Sequence, residues 1–428
     1  MITPILKYNC PNIEFYRTPD IFNPGPNLFT HWENILGTND DMEAIILFLN
    51  KHSSSHNTFK KYCNEIERLL LWLEYKKFNL TDLSKEDIVE YYDFLRSPLP
   101  IEYWVGPSLH KFLPNRKCNP QWKPFKKQKM NHNSAILSIR AISSMFKYFQ
   151  QNYYVKYNPV ELSLFENRSK CNIENNYNHN FLRPELIEFI LKFLELKANI
   201  KVSEKEKFEN CRKFLIFYIL SQFGLKISEL SKMKNCQMIR SINNHVIHIE
   251  ETNKRIIPIS SDQYHKIKKY ISYLKSPSST VINSEYIFTK YNSFKSLSTA
   301  QIMNIIKTVF LDISQAIINH EALFKENSLD EIFYQDIENC YTASAKWLRH
   351  TYATTYLMKS NSSAPDLLNR LGISSSVLLA SYKQAVDNYK NNISPVKSKA
   401  IENIYNKIIL NELDKIECNK HLASDTIN

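Results

Sequence analysis

Apolar residues recur at spacings of three and four over most of this chain, and a run with that period buries its apolar side by forming a helix. Residues 55–78, SHNTFKKYCNEIERLLLWLEYKKF, show it most clearly. Tyr62, Ile66, Leu69, Leu70 and Leu73 share one face, while Lys60, Lys61 and Arg68 occupy the other. LSKEDIVEYYDFL follows as a second helix, with Ser84 as N-cap and Asp87 at the capping-box position, and Pro98 and Pro100 close it. A third spans about 134–152, with Ile136, Ile139, Ile142, Met145, Phe146 and Phe149 on one side and Arg140 among its polar positions. LRPELIEFILKFLEL, FENCRKFLIFYILSQFGLKISELSKM and most of the chain from Ser298 onward repeat the pattern. One stretch departs from it. Residues 237–260, QMIRSINNHVIHIEETNKRIIPIS, alternate β-branched and polar residues with breaks at Asn243-Asn244 and Thr252-Asn253, which predicts a small three-stranded antiparallel sheet.

The expected fold is therefore mainly α: a helical domain over 50–160, then a mostly helical domain over 181–410 that carries the small sheet. Pro4, Pro11, Pro19, Pro24 and Pro26 suggest an irregular arm over 1–49. The polar stretch 166–180, ENRSKCNIENNYNHN, marks a linker over 161–180, and 411–428 is expected as a tail. With 428 residues, two or three domains are the prior expectation.

Composition narrows the function classes. A formal charge of +12 points to a polyanionic partner, either nucleic acid or a membrane surface. No run of about 18 apolar residues occurs, so the expectation is a soluble cytoplasmic protein without a membrane partner. The eight cysteines are scattered, without CxxC or a Cys/His cluster at zinc spacing, and read as reduced, packed thiols. No metal is expected. With five glycines in all there is no phosphate-cradling glycine-rich loop, and no cofactor is expected.

Residues 111–130, KFLPNRKCNPQWKPFKKQKM, hold seven Lys/Arg and no acidic residue. They fit a solvated loop, and equally an arm on the DNA backbone with Trp122 and Phe125 interleaved. In the second case Lys123, Lys126 and Lys127 join Lys60, Lys61 and Arg140 as DNA contacts.

The chemistry concentrates near the C-terminus. Cutting a DNA strand without metal or nucleotide needs a nucleophile, cations for the phosphorane, and a proton donor for the leaving oxygen. In KWLRHTYATTY (346–356), Lys346 and Arg349 lie three apart on one face at a helix start, where the partial positive charge of the N-terminus adds to theirs. Arg349 can fork two phosphate oxygens.

LRHTYAT followed by LLNRLGISSSVLLASY resembles box II of the tyrosine recombinases, the phage-integrase family, whose pattern runs HxLRHTFAT, then LGH, then a tyrosine nine residues beyond that histidine. Arg349 falls on the box II arginine and Tyr382, nine residues beyond Ile373, on the nucleophile. FGLKISELSKMK resembles box I, GLRxSELLxL, and places Lys226 on its arginine. NKRIIPI resembles the turn and strand carrying the catalytic lysine, which makes Lys254 the candidate, with Arg255 adjacent in register.

The resemblance covers about 50–390 and makes the N-terminal helices a core-binding domain. It implies a two-domain clamp on double-stranded DNA, a 3′-phosphotyrosyl link on Tyr382, Arg349, Lys226 and Lys346 around the phosphorane, and Lys254 protonating the leaving oxygen. It also implies a homo-tetramer on paired sites and a prokaryotic, nucleoid-associated setting. Tyr389 is the reserve nucleophile, and His350 is expected as a packed histidine. Gly224 and Gly372 also fit ordinary helix C-caps.

Three positions depart from the family pattern: Lys226 for the box I arginine, Lys346 for the box II histidine and Ile373 for the box III histidine. Lys226 loses the planar fork and Ile373 has no donor. Two other readings therefore stand beside a working recombinase: a degenerate relative that binds DNA or pairs with an active partner without cutting, and a helical DNA-binding regulator. Residues 403–416, NIYNKIILNELDKI, put Ile404, Ile408, Ile409 and Leu413 on one face. That helix either docks on a neighbouring protomer, as in the family, or packs on its own domain; in the first case deleting 400–428 weakens assembly and spares single-site binding.

Overall fold

The computed structural model describes the whole chain except residues 1, 10–11, 20–33, 108–109, 116, 162–180, 201, 241–244, 251–252, 276–284, 360–362, 375 and 426–428, and leaves the side chains of 376–377 and 416–425 undescribed. The chain forms two compact units, 1–176 and 177–428. The division falls inside the stretch expected as a linker, most of which lies outside the described residues.

Unit 1 begins with a hairpin, β1 (Leu6–Asn9) and β2 (Asn12–Phe15), paired in the register Leu6 to Phe15 and Tyr8 to Ile13. The helices α1 (Asp41–Lys51), α2 (His56–Lys76), α3 (Lys85–Arg96), α4 (Ile101–Trp104) and α5 (His132–Gln151) follow. The capping box at Ser84 and Asp87 is present. α2, α3 and α5 pack together, with Ile66, Leu69, Leu70, Leu73, Ile139, Ile142, Met145 and Phe149 all buried.

The expected arm over 1–49 needs correction. Ile2, Ile5 and Leu6 are buried in this core, and the buried Glu67 of α2 accepts from the backbone N–H groups of Ile5 and Leu6 at 3.1 and 3.0 Å. α1 packs on α2 and α5. The prolines suggested an irregular segment because proline punctuates regular structure, although the apolar run in DMEAIILFLNK was there to be read as a helix.

Unit 2 holds α6 (Pro184–Asn199), α7 (Glu204–Phe223), α8 (Ile227–Ser231), β3 (Met238–Arg240), β4 (His245–Ile249), β5 (Arg255–Ile259), α9 (Ser261–Leu274), α10 (Thr299–Ile318), α11 (Glu321–Glu326), α12 (Asp330–Thr342), α13 (Ala345–Met358), α14 (Ala364–Leu371), α15 (Ser376–Asn392) and α16 (Pro395–Asp425). The strands form the expected antiparallel sheet in the order β3-β4-β5, and both breaks fall largely outside the described residues. From Phe214 to Phe223 α7 is apolar nearly all round, so that half runs through the middle of the unit, and α6, α9, α10 and α13 pack on the helix. α10 is long and apolar enough to cross a membrane, but Ile302, Ile306, Val309, Phe310, Ile313 and Ile317 are buried in this core.

α16 continues unbroken through the stretch expected as a tail. It packs on α6 of its own unit, burying Ile401, Ile404, Tyr405 and Ile408. Tyr405 donates to Asp336, which is also paired with Arg183. Of the two fates open to this helix, its N-terminal half takes the one on its own domain.

Candidate active site

Two glycine turns define the site. Gly224 ends α7 and Gly372 ends α14, with left-handed φ of 61° and 62°. Space also demands glycine at the first, where a Cβ would stand 2.3 Å from Cδ1 of Tyr352. The C-terminal carbonyls of α14 lack partners within the helix, and side chains from elsewhere supply them. Nε of Arg255 donates to the Arg370 carbonyl at 2.7 Å, Nη2 of Arg349 to that of Leu371 at 2.5 Å, and Nδ2 of Asn253 to that of Gly372 at 2.6 Å. Two cations at a helix C-terminus also suit its dipole. Nη1 of Arg349 donates to the Gly224 carbonyl at 2.6 Å, so this one guanidinium ties both glycine turns together.

Behind it lies a buried ion pair. Arg255 forks onto Glu229 at 2.8 and 2.9 Å, and both side chains are almost wholly buried. Glu229 also accepts from the Lys226 backbone N–H at 2.8 Å. Burial works to raise the Glu229 carboxyl, but the Arg255 fork, the Lys226 N–H and the Arg349 charge outweigh it and hold it below its ordinary value. Burial lowers the Arg349 guanidinium, with Glu229 opposing and Arg255 reinforcing the shift.

Tyr382 on α15 faces His350 on α13, its Oη 3.0 Å from Nδ1. The tyrosine is 2% exposed; burial raises its phenol, and the Arg349 charge opposes the rise. Ile373 packs against the small apolar cluster of Tyr352, Leu367, Leu371 and Tyr382. Tyr389, the reserve nucleophile, instead donates to Glu185, which Ser398 also reaches.

Of the five residues expected to be catalytic, Tyr382 and Arg349 come together. Lys226 is half-buried as the N-cap of α8, two residues past the carbonyl that Arg349 grips. Lys346 is exposed at the second position of α13. Lys254 is exposed beside a hollow lined by His248, Glu250 and Ile256, while the neighbouring Arg255 turns inward.

No protein-family model matches the sequence, and no curated protein sequence does either. Solved structures do match. XerH site-specific recombinase bound to difH substrate, in a pre-cleavage complex, is 10% identical with a TM-score of 0.51, over 82% of this chain and 84% of that one. Its post-cleavage complex on palindromic difH substrate is 12% identical with a TM-score of 0.50, over 81% and 82%. The chain has the tyrosine-recombinase fold.

Within this recombinase fold, Glu229 and Asn253 had no expected role, Arg255 was expected only as the neighbour in register of Lys254, and His350 as packing alone. His350 is buried as expected, but against the Tyr382 hydroxyl. Arg255 was within reach: it starts a strand whose burial alternates, on the same face as the buried Ile257 and Ile259. Glu229 sits three residues after Lys226, where it closes a capping interaction.

The residues expected to touch DNA from unit 1 divide. Lys61, Lys126 and Lys127, with Arg68 and Lys129, line a shallow hollow of about 600 Å³. Lys60 lines a neighbouring hollow with Lys7 and Lys111, and Arg140 is exposed on α5. Lys123 lies over the Tyr103 ring at 5.6 Å. Trp122 and Phe125 are not interleaved contacts; both are buried in the core. Nε of Arg68 donates to the Pro124 carbonyl at 3.1 Å and Lys111 pairs with Glu67 at 2.5 Å, so 111–125 is anchored on α2 while Lys126, Lys127 and Lys129 remain exposed.

Proposed function

We propose that this chain is a site-specific DNA recombinase of the integrase or transposase type, which cuts and rejoins DNA through a 3′-phosphotyrosyl link to Tyr382. The observation that carries the reading is that Arg349 ties together the two glycine turns of a recombinase fold while Tyr382 packs in one cluster with Leu371, whose carbonyl Arg349 holds. Two of the five N–H donors of Arg349 are spent on carbonyls, which leaves three for phosphate oxygens. Lys226 and Lys346 add positive charge for the phosphorane. Lys254 protonates the leaving 5′ oxygen, which conserves the proton count once Tyr382 has lost its own. Double-stranded DNA is the partner, a homo-tetramer on paired sites the working assembly, and the setting prokaryotic and nucleoid-associated. Every step uses side chains of the chain itself, so a chelator is expected to leave cleavage unchanged.

A specific observation favours a second reading, a degenerate relative that binds without cutting. The Tyr382 phenol is almost fully covered, and Ile373 fills a position where the family pattern has a donor. Loss of one donor to the transition state costs roughly 10² to 10³ in rate.

Covalent trapping on nicked suicide DNA, built from the sequences flanking the gene, separates the two. The wild type is expected to form a DNA adduct that Tyr382→Phe abolishes, and Lys226→Arg to raise its yield. Tight, salt-sensitive binding with no adduct, above all if Lys226→Arg restores some cleavage, identifies the degenerate relative.

A further inference from the structure

His350 follows Arg349 directly and is buried with its Nδ1 3.0 Å from the Tyr382 hydroxyl oxygen. α13 and α15, which carry the pair, pack against each other. We propose that Nδ1 of His350 accepts the proton of the Tyr382 hydroxyl as that oxygen attacks the phosphodiester. The proposal rests on the reading of Tyr382 as the nucleophile.

Other groups at the site are poorly suited to the task. The ammonium group of Lys346 has no lone pair to offer. Ile373 has no acceptor. The carboxylate of Glu229 is occupied by the Arg255 fork and the Lys226 N–H. In the tautomer that carries its proton on Nε2, a neutral imidazole offers Nδ1 as an acceptor, and Nδ1 of His350 lies 3.0 Å from the hydroxyl.

The step balances. The O–H bond of Tyr382 breaks and its proton passes to Nδ1, giving an imidazolium. The Oη–P bond forms as the bond from phosphorus to the 5′ oxygen breaks, and that oxygen takes a proton from a lysine ammonium. Rejoining runs in reverse, with the imidazolium returning its proton to the departing phenol.

DNA with sulfur in place of the bridging 5′ oxygen tests this, because a thiolate leaves without being protonated. On oxygen DNA, His350→Asn is expected to form adduct about 10²-fold or more slowly than wild type. The deficit should persist on sulfur DNA, whereas the deficit of Lys254→Ala should vanish there. His350→Gln serves as a second variant, and whichever melts with wild-type cooperativity carries the test. A variant that cuts oxygen DNA at or above the wild-type rate, or that recovers on sulfur DNA, overturns the proposal. If the wild type forms no adduct on either DNA, the nucleophile reading falls and takes this one with it. If the wild type cuts and the histidine variants match it, only the role of His350 falls.

Discussion

Arg255 and Arg349 look alike in sequence and do different work. Arg349 is half-buried and keeps donors to spare, whereas Arg255 is sealed against Glu229 and bonded to the Arg370 carbonyl. Removing one member of such a pair leaves a buried charge without its counterpart, at a cost of roughly 3 to 5 kcal/mol. Arg255→Ala is therefore expected to lower the stability of unit 2 by about that much in urea unfolding at pH 7, and to loosen the turn at 370–372. The pH dependence follows from the depressed Glu229 carboxyl. Its contribution is full above the ordinary glutamate value and is lost as pH falls through the lowered folded value, because protonation then unpairs Arg255. The gap between wild type and Arg255→Ala should accordingly narrow in acid; a gap that stayed constant from pH 7 to pH 3 would mean that the ion pair is not its source.

At the scale of elements, the long helices and the three-stranded sheet were legible because each repeats its apolar residues at one period over many positions. What escaped was held by single polar contacts. The hairpin β1–β2 docks through Glu67, and the turn after α14 is held by Arg255, Arg349 and Asn253, from segments distant in the chain. Register within one element says nothing about such partners. The candidate site was half legible for the same reason: a motif singled out Tyr382 and Arg349 as candidates, but only the fold shows which neighbouring basic residue, Lys254 or Arg255, turns inward. The helix α16 shows the corresponding limit of periodicity, since an amphipathic face does not name what it covers. Deleting 400–428 removes Ile401, Ile404, Tyr405 and Ile408 from the core and strips Asp336 of one partner. Four buried side chains at about 1.5 to 3 kcal/mol each put the expected loss above roughly 6 kcal/mol, enough to unfold unit 2. Deletion of 411–428 leaves those contacts intact, and thermal melting should barely change. The shorter truncation is thus the one that can report on assembly; equal melting of both would contradict the packing of α16.

For the whole molecule, the proposed function raises the question of where a charge of +12 would meet DNA. Unit 1 offers Lys61 of α2 and Lys126, Lys127 and Lys129 around one hollow, the last three following a segment held in place by Arg68 and Lys111. Unit 2 offers Lys226, Lys346 and the spare donors of Arg349. If DNA binding uses the first group, each lysine that neutralises a phosphate releases counterions and steepens the fall of log affinity with log salt by about 0.9. Replacing Lys126 and Lys127 by alanine in a Tyr382→Phe background should flatten that slope by about 1.8, weaken binding on unrelated sequences to a similar degree, and leave melting unchanged, because both side chains are exposed. The background matters: with the nucleophile removed, the titration reads binding alone. An unchanged slope would move the DNA-contacting surface of unit 1 away from this hollow, towards Lys60 and Arg140, even if cleavage by the wild type were already in hand.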